Sequence, residues 1–254
     1  MDHCKQTTDA AWYQKTSEAL TLIRQYAIFL SIFDINKPAP LFATGTCLLT
    51  SQGPALVTAG HVIEKFVRFG AQGRLQVGMH RKTLRYRPDI MRIYVGQRAD
   101  LGTILLPHEV WHTLGVPMLK WAIVATTSVR EGELIAGVGY PGCLKRQTAD
   151  NAYGIGTYEF IVTVRVETPE QFTVLIDVNA NYERELDSQR EGFSPDELTE
   201  LGGLSGAPVF SLERWQIVGW LYEAHSWQPA PEPEAHSLCA VPTSFLHEDG
   251  TISG

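Results

Sequence analysis

Gly202-Gly203-Leu204-Ser205-Gly206-Ala207-Pro208, running into Val209-Phe210, is the stretch on which the rest of the chain is read. A serine sits among glycines, and a proline opens a short apolar strand. Glycine is needed where the backbone takes a positive φ or passes very close to another group. A nucleophilic serine needs that setting, because the donors that stabilise its oxyanion are backbone N–H groups beside it. Gly203 and Ser205 are the two candidate donors. Taken alone the stretch is also a common turn. What separates the two readings is a base and an orienting acid elsewhere in strand-like surroundings.

Both are present. Leu56-Val57-Thr58-Ala59-Gly60-His61-Val62-Ile63 is an apolar run broken by a glycine and a histidine, and Ala99-Asp100-Leu101-Gly102-Thr103-Ile104-Leu105-Leu106 puts an aspartate at the mouth of another apolar strand. The order His61, Asp100, Ser205, with Thr58-Ala59-Gly60-His61, Asp100-Leu101 and Gly203-Leu204-Ser205-Gly206-Ala207-Pro208, resembles the trypsin-like (chymotrypsin-fold) serine peptidases. Three further segments fit. Thr44-Gly45-Thr46-Cys47-Leu48-Leu49 resembles the early strand before the histidine, and Ala136-Gly137-Val138-Gly139-Tyr140-Pro141-Gly142 an early strand of the second barrel. Trp215-Gln216-Ile217-Val218-Gly219-Trp220 resembles the strand pair after the serine. The Gly-x-Ser-x-Gly pattern of α/β-hydrolases is not met, because the second residue after Ser205 is Ala207.

The resemblance implies an all-β fold of two six-stranded-type β-barrels and a serine endopeptidase acting through an acyl-enzyme. It makes Ser205 the nucleophile, His61 the general base and Asp100 its orienting acid, with the Gly203 and Ser205 N–H groups as oxyanion hole. Trp220, Leu221 and Tyr222 would line the substrate pocket, with Thr199 towards its floor. Leu221, in place of a small residue, would narrow it. No acid is placed there, so cleavage after Arg or Lys is not expected. Two departures stand out. Leu204 occupies the position where many secreted relatives carry the aspartate that pairs with a new N-terminus, so activation of that kind is not expected. No disulfide is evident near the histidine or the serine.

A zinc-peptidase motif competes. His108-Glu109-Val110-Trp111-His112 matches His-Glu-x-x-His, two histidines four apart with a glutamate to act on the metal's water. Against it, the third ligand of the extended motif would fall on Met118, Pro107 directly precedes the first histidine, and Gly115 and Pro117 end any helix early. A connector between barrels is the alternative for this segment, and no metal or other cofactor is expected. A catalytically silent pseudo-protease, or a module that binds peptides without turning them over, would carry the same residues as the active enzyme.

Composition bounds the rest. The 254 residues suit one peptidase domain and a large core without staples. A formal net charge of −7 argues against nucleic acid as a main partner; a protein or peptide substrate is what the resemblance implies. Cys4, Cys47, Cys143 and Cys239 are scattered without metal-like spacing. They read as reduced thiols; with no secretory h-region and no apolar run long enough to span a membrane, the expectation is a cytoplasmic protein.

Along the chain, Thr8 to Phe33 reads as an amphipathic helix, with Ala19, Leu20, Ile23, Tyr26, Ala27 and Leu30 at helical spacing. Residues 1–36 therefore form a helical extension to a peptidase domain over 37–254. The helix either packs on the barrels or docks a regulatory partner. Barrel one is expected over about 41–125 and barrel two over about 130–245. The basic stretch Arg74, Arg81, Lys82, Arg85, Arg87, Arg92 and Arg98 reads as a solvated strand face, or as a site for an acidic partner. Phe160 to Val166 and Phe172 to Asp177 alternate as a hairpin, Asn179 to Glu200 is an acidic loop, and Glu223 to Ser237 a Pro-rich surface loop.

Overall fold

The computed structural model describes residues 3–33, 41–70, 74–78, 82–141, 145–149, 152–177, 203–227 and 235–253. A helix α1 (His3–Tyr26) leads into strands β1 (Ile28–Phe33), β2 (Leu41–Thr50) and β3 (Gly53–Thr58). Helix α2 (Gly60–Arg68) and strands β4 (Arg74–Val77), β5 (Lys82–Arg85), β6 (Arg92–Val95) and β7 (Gly102–Leu105) follow, and helix α3 (His108–Leu114) and strand β8 (Leu119–Lys120) close this half. The strands form one eight-stranded sheet in the order β5-β4-β1-β2-β3-β7-β6, with β8 parallel to β2. It is a half-barrel rather than a closed one.

The second half is a closed six-stranded barrel. It runs through β9 (Leu134–Gly139), the hairpin β10 (Lys145–Ala149) and β11 (Ala152–Ile155), then β12 (Tyr158–Glu167), β13 (Phe172–Asp177), β14 (Pro208–Ser211), β15 (Gln216–Trp227) and β16 (Ala235–Pro242). The barrel order is β12-β13-β16-β15-β14-β9, with β10 and β11 pairing apart from it. Alternation decides which way each strand faces. Phe160 and Val164 on β12, Phe172 and Val174 on β13, and Leu238 and Ala240 on β16 are all buried in one cluster with Leu204 and Leu221. The mostly-β, two-barrel expectation therefore holds, with the first barrel open and the second closed.

Three boundaries differ from the sequence reading. The helix expected over Thr8 to Phe33 stops at Tyr26, and Ile28-Phe29-Leu30-Ser31-Ile32-Phe33 is a strand pairing with both β2 and β4. Ile28, Leu30 and Ile32 enter the core of the first sheet while Phe29 enters the cluster between the two halves. A run this rich in β-branched and aromatic residues fits a pleated surface, and two neighbours satisfy its backbone. Within the expected extension, β1 is thus integral to the first sheet. The Pro-rich loop is shorter than Glu223 to Ser237, because β15 runs to Trp227 and β16 starts at Ala235. The acidic loop Asn179 to Glu200 lies outside the described residues.

Helix α1 is seated on the molecule itself. Ala19, Ile23 and Ala27 are buried in the cluster that holds Leu101, Val138, Ile217, Trp220 and Val241. Arg24 pairs with Glu159 on β12, and the Tyr140 hydroxyl donates to the Ala27 carbonyl at 3.2 Å. Of the basic stretch, Arg74, Lys82, Arg85, Arg87, Arg92 and Arg98 are exposed, with Lys82 Nζ donating to the Thr113 carbonyl and Arg87 paired with Asp89, while Arg81 lies outside the described residues.

Helix α3 carries the His-Glu-x-x-His segment. It forms a helix with Pro107 before it and Gly115, at φ 64°, after it. Its inward residues are Trp111 and Leu114, while His108, Glu109 and His112 are exposed. Among the described residues no three His, Cys, Asp or Glu side chains converge as a metal site. The segment works as an anchor, with the fully buried Trp111 donating its indole N–H to the Pro54 carbonyl at 2.9 Å. Trp111→Phe loses that hydrogen bond, leaving the Pro54 carbonyl only the Leu106 N–H at 3.3 Å, and opens space where the larger indole sat; it is expected to cost about 1–3 kcal/mol in denaturant unfolding. His112→Ala, on the exposed face, is expected to stay within about 0.5 kcal/mol of wild type.

Candidate active site

His61 is the second residue of α2, immediately after the turn that ends β3. Gly60 is required there for space, because a Cβ on it would lie 2.9 Å from Asp100 Oδ1 and 3.1 Å from Val95 Cγ1. Asp100 sits between β6 and β7 and grips His61 twice. Its Oδ1 accepts the His61 backbone N–H at 2.7 Å, and its Oδ2 lies 2.6 Å from the ring Nδ1. A carboxylate only accepts, so Nδ1 carries a proton in this arrangement and Nε2 is the ring nitrogen left for proton exchange. Burial pushes the Asp100 carboxyl up, but the two His61 hydrogen bonds, His61's charge and the Gly60 N–H outweigh it and hold the carboxyl below its usual range.

Ser205 lies on a turn whose glycines both take positive φ, 108° at Gly203 and 88° at Gly206. The turn is tied down on every side. Ala207 N–H donates to the Leu204 carbonyl at 2.8 Å, Gly206 N–H to the Leu221 carbonyl at 2.6 Å, and Leu221 N–H back to the Ala207 carbonyl at 2.9 Å. A trans peptide sends its N–H opposite to its C=O. With the Leu204 carbonyl turned into the turn, the Ser205 N–H points away from it, and among the described residues it makes no hydrogen bond. The Gly203 N–H belongs to the peptide from Gly202, which lies outside the described residues. The Ser205 hydroxyl donates to the Tyr222 carbonyl at 3.2 Å.

The pocket expectation needs correction. Trp220 is 0 % exposed and Leu221 1 %, so neither presents a surface to a ligand. Trp220 packs between the two halves and α1, and Leu221 inside the closed barrel. Both faces of β15 are covered there, one by the core of the closed barrel and the other by the contact between the halves, and a β-bulge follows. In the β15–β16 register Leu221 faces Ala240 but Glu223 faces Cys239, which leaves Tyr222 as the extra residue. At the bulge the Tyr222 carbonyl lies beside Ser205 Oγ, and Glu223 after it is exposed. Tyr222 is half-buried, and its hydroxyl donates to Gln171 Oε1 at 2.6 Å. Burial, reinforced by Cys239, Glu223 and Asp100 nearby, pushes that phenol up to about 12. Thr199 lies outside the described residues.

Two contributors escaped the sequence reading. Thr44 and Thr58, both buried on the first sheet, meet the serine turn from behind. Their signal was a polar residue recurring in otherwise apolar strands. Cys47 and Cys239 are free and buried, and burial raises the Cys47 thiol far above its ordinary range.

No family model matches the sequence, and no curated protein matches it. Among solved structures, the Rv3671c protease from M. tuberculosis in its active form aligns with a TM-score of 0.50 and 15 % identity, covering 87 % of this chain and 78 % of that one. The thermostable serine protease AL20 from an extremophilic microorganism aligns with a TM-score of 0.50 and 11 % identity, covering 87 % and 93 %. At such identity the likeness is one of fold. Taken with the closed barrel, the half-barrel and the short helices, it gives this chain the two-barrel fold of the chymotrypsin-type serine proteases.

Proposed function

We propose that this protein is a serine endopeptidase whose triad is His61, Asp100 and Ser205. The observation that carries the reading is the double grip of Asp100 on His61, which fixes both the ring and the tautomer a general base needs. In this mechanism Ser205 Oγ turns from the Tyr222 carbonyl to His61 Nε2 and attacks the scissile carbonyl. His61 takes the proton and delivers it to the leaving amine, while Asp100 stabilises the imidazolium. The N–H groups of Ser205 and Gly203 receive the oxyanion. Water then hydrolyses the acyl-enzyme by the same steps in reverse roles. Peptide substrates accord with the fold's neighbours, and the free Cys47 and Cys239 fit a reducing compartment such as the cytoplasm. Among the described residues no helix is long and apolar enough to cross a membrane. A regulatory partner acting through α1 would have to engage the helix outside Ala19, Ile23 and Ala27, which the protein's own core occupies.

A second reading, a silent peptide-binding module, draws on the serine hydroxyl being bonded to Tyr222 rather than to the histidine. A fluorophosphonate probe read by intact mass separates the two. Wild type is expected to gain one adduct, Ser205→Ala and His61→Ala none, and a zinc chelator is expected to change nothing. A wild type that binds peptides but never takes the label would establish the silent module. Labelling abolished by the chelator would return the His108–His112 helix to consideration.

A further inference from the structure

Thr44 belongs to β2 in the half-barrel, yet it holds the serine turn of the other barrel at two points. Its backbone N–H donates to the Ser205 carbonyl at 2.9 Å, and its Oγ1 donates to the Gly203 carbonyl at 2.9 Å. The same oxygen accepts the Tyr140 N–H at 2.9 Å, at the end of β9. Its own carbonyl accepts from Thr58 Oγ1 at 2.7 Å. Thr44 is 0 % exposed, so no bulk water competes for these bonds. A threonine hydroxyl has one proton to give, and here it is given to Gly203.

We propose that Thr44 is a positioning residue for the nucleophile. By drawing the Gly203 and Ser205 carbonyls back towards the half-barrel, it fixes the two peptides on either side of the Leu204–Ser205 unit. A peptide turned one way at its carbonyl is turned the other way at its N–H. The Leu204 and Gly206 N–H groups therefore turn away from the half-barrel, the latter onto the Leu221 carbonyl at 2.6 Å, and the Leu204–Ser205 peptide that carries the Ser205 N–H is held between two fixed neighbours. The inference rests on Ser205 being the nucleophile. It makes the alignment of the serine a joint property of both halves: His61, Asp100 and Thr44 come from one, and the turn they act on from the other.

The test compares Thr44→Val, which keeps the shape and the backbone N–H but loses the hydroxyl, with Thr44→Ser, which keeps the hydroxyl and loses a methyl. Fluorophosphonate labelling rate and peptide-hydrolysis kcat and KM are read well below each variant's unfolding midpoint. Thr44→Val is expected to slow labelling and kcat by about 10–100-fold, with KM within about twofold of wild type. Thr44→Ser is expected to recover most of the rate. Thr243→Val removes a buried hydroxyl that donates to the Ala125 carbonyl at 2.8 Å, away from the serine turn, and is expected to lower stability while leaving the labelling rate unchanged. Should Thr44→Val fail to fold, Thr44→Ala replaces it: the vacated space admits a water to Gly203 and Tyr140, and the same slowing is expected. A wild-type labelling rate in the hydroxyl-free variant overturns the proposal, as does equal slowing in Thr44→Ser. A wild type that takes no label fails the nucleophile reading itself, and that outcome is visible before any variant is made.

Discussion

Asp100→Asn is expected to lower kcat by about 10⁴-fold with little change in KM. The argument is one of proton placement. In wild type both carboxylate oxygens accept, one from the His61 backbone N–H and one from ring Nδ1. An amide of the same size has one acceptor and one donor. If its oxygen keeps the backbone N–H, its NH2 faces Nδ1, and Nδ1 must then accept. The ring proton moves to Nε2, so the nitrogen that should take the serine proton already holds one. The backbone bond survives, so α2 stays in place and the protein stays folded. The same substitution reports on acid stability. Asp100 titrates below its usual range in the folded protein, so its contribution is complete above the unfolded carboxyl pKa of about 3.9 and is lost as pH falls through the folded value. The gap between wild-type and Asp100→Asn unfolding midpoints is therefore expected to be constant near neutrality and to close below about pH 4. A variant with wild-type kcat would remove Asp100 from the mechanism, and a gap that widens in acid would contradict the direction of its shift.

What could be read in the sequence was what local chemistry forces. Gly60 beside His61 and Gly206 beside Ser205 are residues the backbone or the neighbours require, so the short motifs around them survive folding intact. The misread parts are those that only tertiary pairing decides. Ile28 to Phe33 continues the helical spacing of Ile23 and Ala27 and also alternates as a strand; β2 and β4 on either side settle it. The Trp220–Leu221 pocket failed because both faces of that strand are covered, one by the closed barrel and the other by the first half and α1, and a local pattern does not show what packs on a strand's outer face. The His-Glu-x-x-His segment did become a helix, as its spacing allows, but Trp111 and Leu114 decide which face turns inward, and the histidines face solvent. Thr44 and Thr58 were quoted as strand residues, while their partners lie more than a hundred residues away for Thr44–Gly203 and across a β-hairpin for Thr58–Thr44.

Gly206→Ala is the substitution expected to do most damage to fold and function together. At φ 88° an L side chain is strained before it meets anything. The added Cβ would also lie 2.0 Å from the Thr44 carbonyl oxygen, 2.2 Å from Thr58 Oγ1 and 2.9 Å from Thr58 Cα. None of these is the free end of a flexible chain. Thr44 is a paired strand residue, and the Thr58 hydroxyl is bonded to the same Thr44 carbonyl at 2.7 Å. Relief requires the serine turn to back away from β2 and β3, which breaks the Thr44 N–H to Ser205 bond and parts the two halves at the point where His61 and Ser205 must meet. A loss of more than about 4 kcal/mol is expected, most of the stability of a domain at the lower end of the usual range of about 5–15 kcal/mol, with no labelling of whatever remains soluble. Gly53→Ala isolates the cause. Gly53 also has a positive φ, 117°, but nothing lies within 4 Å of its added Cβ. That variant carries backbone strain alone, about 1–3 kcal/mol, and should label at the wild-type rate. If the two alanines prove equally costly in urea unfolding, the turn at Gly206 is strained but not wedged, and the half-barrel does not press on the nucleophile from behind. If only Gly206→Ala collapses, the close approach of the two halves at this glycine is what holds Ser205 where His61 can reach it.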